Sequence, residues 1–167
     1  PGAFARILDD AIRSSDLVIT SGGISKGAYE VVREVLLPRG ADVTSVAMQP
    51  GGPQATAVID GVPVAAVLGN PVSTQVSFAV FLRGPLRAAA GLPPLPPQRA
   101  TLTEAVRSVP GRRQFLRGRL GEGGGVAPVA GPSSHLVAAM AKADVLIDVP
   151  VEAEALDAGS AVTVWTL

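Results

Sequence analysis

The chain contains no cysteine, which excludes disulfides, thiolate metal centres and cysteine nucleophiles, and fits a cytoplasmic protein. With a single histidine, His135, a multi-histidine metal site is also excluded. One tryptophan (Trp165), one tyrosine (Tyr29) and four phenylalanines are too few and too scattered to build a base-stacking platform for nucleic acid. Neither sign of charge dominates. Fourteen basic residues balance fourteen acidic ones, so there is no electrostatic footprint for nucleic acid or an anionic membrane surface. No apolar run approaches the roughly 20 residues of a membrane helix. No charged-then-apolar leader is read at the N-terminus, and the chain begins so abruptly that it reads as a fragment.

What is present is a chain that can bury a core. Its 167 residues are 47% hydrophobic and 17% charged, enough for one ordinary domain or two small ones. Basic charge is carried almost wholly by arginine, and alanine, glycine and proline abound, the composition of a soluble protein from a high-GC bacterial genome.

Two textures follow one another along the chain. Ala3–Ser14 places Phe4, Ile7, Leu8, Ala11 and Ile12 at amphipathic helical spacing. Leu17–Thr20 is a short apolar run ending at glycines, as suits a buried parallel strand. A helix is expected over Tyr29–Leu37, ending near Pro38 and Gly40, and a strand over Val43–Met48. Ala55–Ile59 and Val62–Leu68 flank Asp60-Gly61, the pair that favours a type I′ hairpin. A long apolar-rich helix over Val72–Ala90, interrupted at Gly84-Pro85, completes this half. Strands alternating with helices predict a layered α/β domain, with any ligand beyond the carboxyl ends of its strands. The four prolines of Gly91–Pro97 then read as a semi-rigid linker. Beyond it, Arg99–Val106, Arg113–Leu120, Val126–Val129, Val145–Val149 and Ala161–Leu167 predict a small β-barrel or sandwich.

Chemistry is expected at glycine-rich loops. Thr20-Ser21-Gly22-Gly23-Ile24-Ser25-Lys26-Gly27 lies between a strand and a helix, where successive backbone N–H groups and a helix N-terminus can hold an anion. Thr20, Ser21 and Ser25 add hydroxyl donors and Lys26 adds charge, although an ordinary strand–helix turn uses such a glycine pair too. Leu68-Gly69-Asn70-Pro71-Val72-Ser73 also follows an apolar strand and opens a helix. Asn70 there can cap the helix, Pro71 fits its first position and Ser73 offers a further donor. Met48-Gln49-Pro50-Gly51-Gly52-Pro53-Gln54 reads as a plain proline–glycine turn. Glu30, near the start of a helix, can ligate Mg²⁺ or serve as a base, and it equally suits the helix dipole. His135 has no evident orienting partner and reads as structural.

In this order, Asp16–Ser25, Val46–Gly51 and Leu68–Ser73 resemble the molybdopterin molybdenumtransferase family, which includes the bacterial molybdenum-insertion enzyme and the E domain of gephyrin. Pro110–Arg117 and Gly131–Ala139, with its Ser-Ser-His element, are similar to the family's C-terminal domain. The resemblance spans nearly the whole chain. It implies a three-layer molybdopterin-binding α/β domain over 1–91, incomplete at its N-terminus, a linker over 92–98 and a C-terminal β-barrel over 99–167. It also implies ligation of molybdate to adenylylated molybdopterin with Mg²⁺ and release of AMP. Such proteins act as homodimers, with molybdopterin adenylyltransferase a further partner. By the same resemblance Ser21, Gly22, Gly23 and Ser25 contact the pterin or its phosphate, together with Thr20 and with Gln49, Pro50 and Gly51. Gly69, Asn70, Pro71 and Ser73 complete that side, and Glu30 falls where the family has a functional aspartate.

Departures from the family pattern carry their own expectations. Where some members have lysines on either side of the proline–glycine pair, this chain has Gln49 and Gly52. The family's N-terminal domains and the strand opening its pterin domain have no counterpart here, so the fragment alone is expected to be inactive. The alternative to an active enzyme is a non-catalytic molybdopterin-binding or scaffold paralogue. A molybdopterin adenylyltransferase fits less well: its loop carries Gly-Gly-Thr-Gly where this chain has Gly-Gly-Ile-Ser, and it lacks a second domain.

Overall fold

A computed structural model describes residues 1–25, 27, 30–131, 133 and 137–167. Along the chain run α1 (Gly2–Ser14), β1 (Val18–Ser21), α2 (Val31–Leu36), β2 (Asp42–Ser45), β3 (Met48–Gln49), β4 (Pro53–Ile59), β5 (Val62–Val67), α3 (Pro71–Ser77) and α4 (Arg83–Ala89). There follow β6 (Gln98–Leu102), β7 (Val106–Arg107), β8 (Arg113–Leu120), β9 (Gly125–Pro128), α5 (Val137–Met140), β10 (Val145–Val149), β11 (Ala155–Leu156) and β12 (Ala161–Thr166). By contact the chain forms two compact units, Pro1–Val46 with Gly51–Thr74, and Ala47–Pro50 with Gln75–Leu167. The expected mixed architecture, a sheet-and-helix unit and a five-strand barrel, is what forms. Among the described residues no helix is long and apolar enough to cross a membrane.

The first unit is built on a four-stranded sheet of order β1-β5-β4-β2. β1 runs parallel to β5, and the other neighbours are antiparallel. Register puts Val18 and Thr20 beside Val64 and Ala66, and these in turn beside Ala57 and Ala55. That face packs with Leu8 and Ile12 of α1 and Val32, Val35 and Leu36 of α2 into one apolar cluster. Asp60 and Gly61 both take positive φ (52° and 83°), as the type I′ hairpin between β4 and β5 requires.

Three expectations change here. Ile7 is 65% exposed, because the buried stripe of α1 is Leu8 and Ile12 flanked by Phe4, Ala5 and Ala11, and Ile7 lies about 100° around the helix from Leu8. Ile19 is 43% exposed, since β1 pairs only with β5 and its second face is uncovered among the described residues. The strand expected over Val43–Met48 is two strands. β2 stays in this sheet, whereas Met48 and Gln49 pair in parallel with Arg113 and Gln114 of the second unit.

The break in the long apolar helix also moves upstream of Gly84-Pro85. A π-helical segment occupies Phe78–Leu82, and the Arg83 N–H donates to the Phe78 carbonyl. Pro85 explains the placement. Its ring would clash with the carbonyl four residues back, and a wider turn just before it relieves that clash without ending the helix.

In the second unit β10-β12-β6-β9-β8 form consecutive pairs, and β8 pairs again with β10, closing a five-strand barrel. Leu102, Leu116, Val126, Val145, Ile147, Val149, Val162 and Val164 fill it. On β8, Gln114, Leu116 and Gly118 face inward. A Cβ at Gly118 would come within 2.7 Å of the Ile147 side chain and 2.8 Å of Val126, so this position tolerates no side chain without repacking. β9 pairs with β8 only at Gly118–Leu120, and β3 takes up the same strand at Arg113 and Gln114.

Gln114 is 1% exposed, and neither of its amide atoms has a partner among the described residues. Leaving buried polar atoms unpaired costs about 1–3 kcal/mol per group, whereas an apolar group of similar shape avoids that cost. Gln114→Met is therefore expected to raise the stability of the barrel by roughly 1–2 kcal/mol in urea denaturation. A lower midpoint in the variant would show that the amide is hydrogen-bonded in solution.

Candidate functional site

The parallel pair β1–β5 determines where the first two loops meet. Ser21 and Val67 are in register at the carboxyl ends of the two strands, and each strand runs straight into a glycine loop. The Gly22 N–H donates to the Val67 carbonyl at 2.8 Å, extending the ladder by one bond into the loops. Beyond it the two backbones touch. A Cβ on Gly69 would lie 3.0 Å from the Gly22 Cα, while Gly22 itself has φ +96°. Glycine is required at both positions, at Gly69 for close approach and at Gly22 for backbone conformation.

The first loop then folds under α2. Gly23 sits against its first turn, where a Cβ would come within 2.8 Å of the Val32 side chain, and its carbonyl accepts from the Arg33 N–H at 2.9 Å. Ile24 is buried in the apolar cluster and anchors the loop. Glu30 is the N-cap residue of α2, and its carboxylate Oε1 accepts from the Gly27 N–H at 3.2 Å. The carboxylate thus fastens the loop on which it was expected to act.

Three successive N–H groups, of Gly23, Ile24 and Ser25, donate to no other described residue, and neither do the exposed hydroxyls of Ser21 and Ser25. A run of amides without partners among the described residues, beside glycine at positive φ, is backbone of the kind that can accept an anion. Thr20 is placed differently. It shares the face of Val18 and Ala66, and its hydroxyl is buried with no partner among the described residues.

The second loop spends its polar groups on itself. Asn70 Oδ1 accepts from the Ser73 N–H at 3.0 Å and from the Ser73 hydroxyl at 3.3 Å, while Pro71 occupies the first position of α3. Thr74 donates its hydroxyl to the Leu68 carbonyl at 2.5 Å and to the Asn70 carbonyl at 3.0 Å. Ser73 is buried, so its hydroxyl serves the cap. Asn70→Ala is expected to destabilise the first unit by about 1 kcal/mol, the usual value of a lost cap, in chemical denaturation. An Asp at position 70 should recover most of that loss, because its carboxylate still accepts from Ser73.

The third loop divides between the units: Gln49 and Pro50 belong to the second and Gly51 to the first. The Gln49–Pro50 peptide is cis, and the Gln54 amide donates to the Gly51 carbonyl at 2.6 Å. Thr20–Ser25 and Gly69–Ser73 are therefore the candidate residues brought together within one unit. Lys26, Tyr29 and His135 lie outside the described residues.

Sequence reading missed one cation beside the first loop. The Arg33 guanidinium reaches the Ser25 carbonyl at 3.5 Å, bringing positive charge to the first loop. Its position on the exposed side of the first turn of α2, ten residues past Gly23, was the available signal. Among the described residues no group of three or more histidines, aspartates or glutamates is placed to hold a metal ion.

Residues 1–88 match a family described as "Probable molybdopterin binding domain", and residues 99–167 match "MoeA C-terminal region (domain IV)". Molybdopterin molybdenumtransferase 2 of Mycobacterium tuberculosis is 43% identical over 174 residues, covering 98% of this chain and 43% of that protein. Molybdopterin molybdenumtransferase 1 of the same organism is 36% identical over 181 residues, covering 98% and 42%. The crystal structure of a molybdopterin biosynthesis protein, MoeA, from Pyrococcus horikosii superposes with a TM-score of 0.78 at 31% identity, covering 98% of this chain and 40% of that one. The chain thus spans less than half the length of the relatives it matches.

Proposed function

The chain belongs to the family of molybdopterin-binding domains joined to a MoeA C-terminal domain, and from that premise we propose that its two meeting glycine loops bind a phosphorylated pterin. The observation that carries this reading is the unspent amide run of Gly23, Ile24 and Ser25 beside the Gly22–Gly69 contact. Such a receptor suits a polyanion, and the hydroxyls of Ser21 and Ser25 add donors on its rim.

In the whole protein the reaction is insertion of molybdate into adenylylated molybdopterin with release of AMP, within molybdenum cofactor biosynthesis. The chain's own task is to hold the pterin phosphate and keep it oriented while a second anion approaches. Arg33 and the amides lower the repulsion between the two. A Mg²⁺ ion supplies further charge neutralisation when bound. Glu30 suits such an ion, because Gly27 occupies only its Oε1, and magnesium is commonly held by one or two carboxylates with the remaining ligands from phosphate and water. The protein acts as a cytoplasmic homodimer, with residues 92–98 linking domains over 1–91 and 99–167. Molybdopterin adenylyltransferase is the enzyme that supplies its substrate.

The test is AMP release and formation of active cofactor by the full-length protein given adenylylated molybdopterin and molybdate. The 167-residue chain alone is expected to bind pterin without turnover. Robust insertion by the chain alone would overturn that expectation. The uncharged Gln49 and Gly52 favour one second reading, a non-catalytic molybdopterin-binding or scaffold paralogue. Pterin binding by the full-length protein without turnover at any molybdate or Mg²⁺ concentration would select it.

A further inference from the structure

The second unit carries a concavity of about 610 Å³ that the pterin reading leaves unused. That volume falls within the roughly 300–1,000 Å³ of small-molecule sites. Its lining includes Arg99 and Arg113 together with the apolar Pro150, Val151 and Leu156.

Both guanidinium groups are held in advance. Arg113 donates from Nε to Asp148 Oδ1 at 2.8 Å and from Nη2 to Oδ2 at 2.5 Å, and it lies 5.4 Å above the Phe115 ring. Its Nη1 donates to no described residue and remains available. Arg99 donates to the Thr163 hydroxyl at 3.1 Å and to the Ala161 carbonyl at 3.4 Å. These acceptors are neutral, and among the described residues Arg99 makes no ion pair. The Asp148 carboxylate lines the pocket but is fully engaged, by Arg113 and by the Trp165 indole N–H at 2.9 Å. A fixed guanidinium loses little side-chain freedom when it takes an oxyanion, which separates this pair from ordinary surface arginines.

We infer that this pocket binds a small organic oxyanion, a carboxylate or phosphate monoester on a compact apolar body, with the head group on Arg99 and Arg113 Nη1 and the body against Pro150, Val151 and Leu156. Glu152, also on the lining, opposes an anion and sets the sign of one test.

Trp165, the single tryptophan, shares Asp148 with Arg113 and provides the reporter. The indole N–H resonance of the chain is followed during titration with phenyl phosphate, benzoate, inorganic phosphate and benzyl alcohol. Saturable shifts with either aromatic anion are expected, and the tighter of the two identifies the preferred head group. Arg99→Gln should weaken binding by about tenfold. Glu152→Gln should tighten it by about two- to threefold. Both residues are exposed, so the variants fold as the parent does. Binding of benzyl alcohol as tight as that of the anions would overturn the oxyanion assignment. Equal binding of inorganic phosphate would overturn the apolar half. An unchanged affinity in both variants, or no shift with any probe, would overturn the site.

Discussion

Gly69→Val, in the full-length protein, is expected to lower its affinity for molybdopterin by roughly 10–100-fold, equivalent to about 1.4–2.7 kcal/mol. The first added carbon already lies 3.0 Å from the Gly22 Cα, and backbone on the far side cannot rotate away as a side chain would. The two loops must part, and the receptor opens at the point where Gly23, Ile24 and Ser25 present their amides. Gly22→Ala should weaken binding for a different reason. Its Cβ has room, at 3.7 Å from the Gly69 Cα, but φ +96° strains any side chain by about 1–3 kcal/mol. Titration of molybdopterin into both variants checks this, with the hydrogen exchange of β1 and β5 as a control on folding. Affinities within about threefold of the parent would remove the meeting of the loops as the site.

Asp148→Ala is expected to destabilise the second unit by about 2–3 kcal/mol, below the upper end for a broken buried ion pair. The aspartate side chain is 5% exposed and serves three donors, from Arg113 and Trp165, while Arg113 is 49% exposed and can return its charge to water. The cost that remains comes from the stranded indole N–H and from loss of the bridge between β8, β10 and β12. Trp165 packs edge-on against Phe115, with ring centroids 6.4 Å apart, so its emission should also change. The hydrogen bonds that Arg113 donates to Asp148 raise its pKa, against the opposing effect of burial. A raised pKa in a base gives stability that is fully present below the unfolded value, so the Arg113 contribution stays flat from about pH 6 to about pH 9. Urea denaturation followed by tryptophan emission, at both ends of that range, is the measurement. A loss below about 0.5 kcal/mol would show that the bridge contributes no more than an exposed pair.

What the sequence shows and what it hides separate along one line, local chemistry against distant pairing. Asp60-Gly61 is legible because a two-residue hairpin turn needs positive φ twice. Asn70-Pro71 is legible because a cap and a fixed φ act within one helical turn. The strand–glycine–helix order of both loops likewise places them on one sheet edge. By contrast, the two loops touch at Gly22 and Gly69, 47 positions apart, and only the register of β1 with β5 brings them together. Met48 continues an apolar run and so reads as the end of a strand, yet its partner is Arg113. Barrel and sandwich were equally compatible with the short strands, and the choice rests on the β8–β10 pairing. Val145–Val149 reads as a strand, but nothing local to it reveals the arginine and indole that bind Asp148.

The short strand β3 has a consequence for how the chain acquires its form. Residues from the first third of the polypeptide pair with the start of β8, in a barrel whose five strands come later, so Met48 must wait for Arg113 to be made. On the ribosome the first unit therefore has a loop committed elsewhere while its own sheet is already available. Pairing across so long a separation is slow, because closure entropy is lost before contacts repay it. A gene fragment beginning at Gln98 would encode every strand of the closed ring and still leave the Arg113 N–H of β8, which donates to the Ala47 carbonyl, without its partner. Such an end is a template for another copy's strand, and the detached barrel is expected to self-associate. The two units follow one another in the chain without being separable by a single cut.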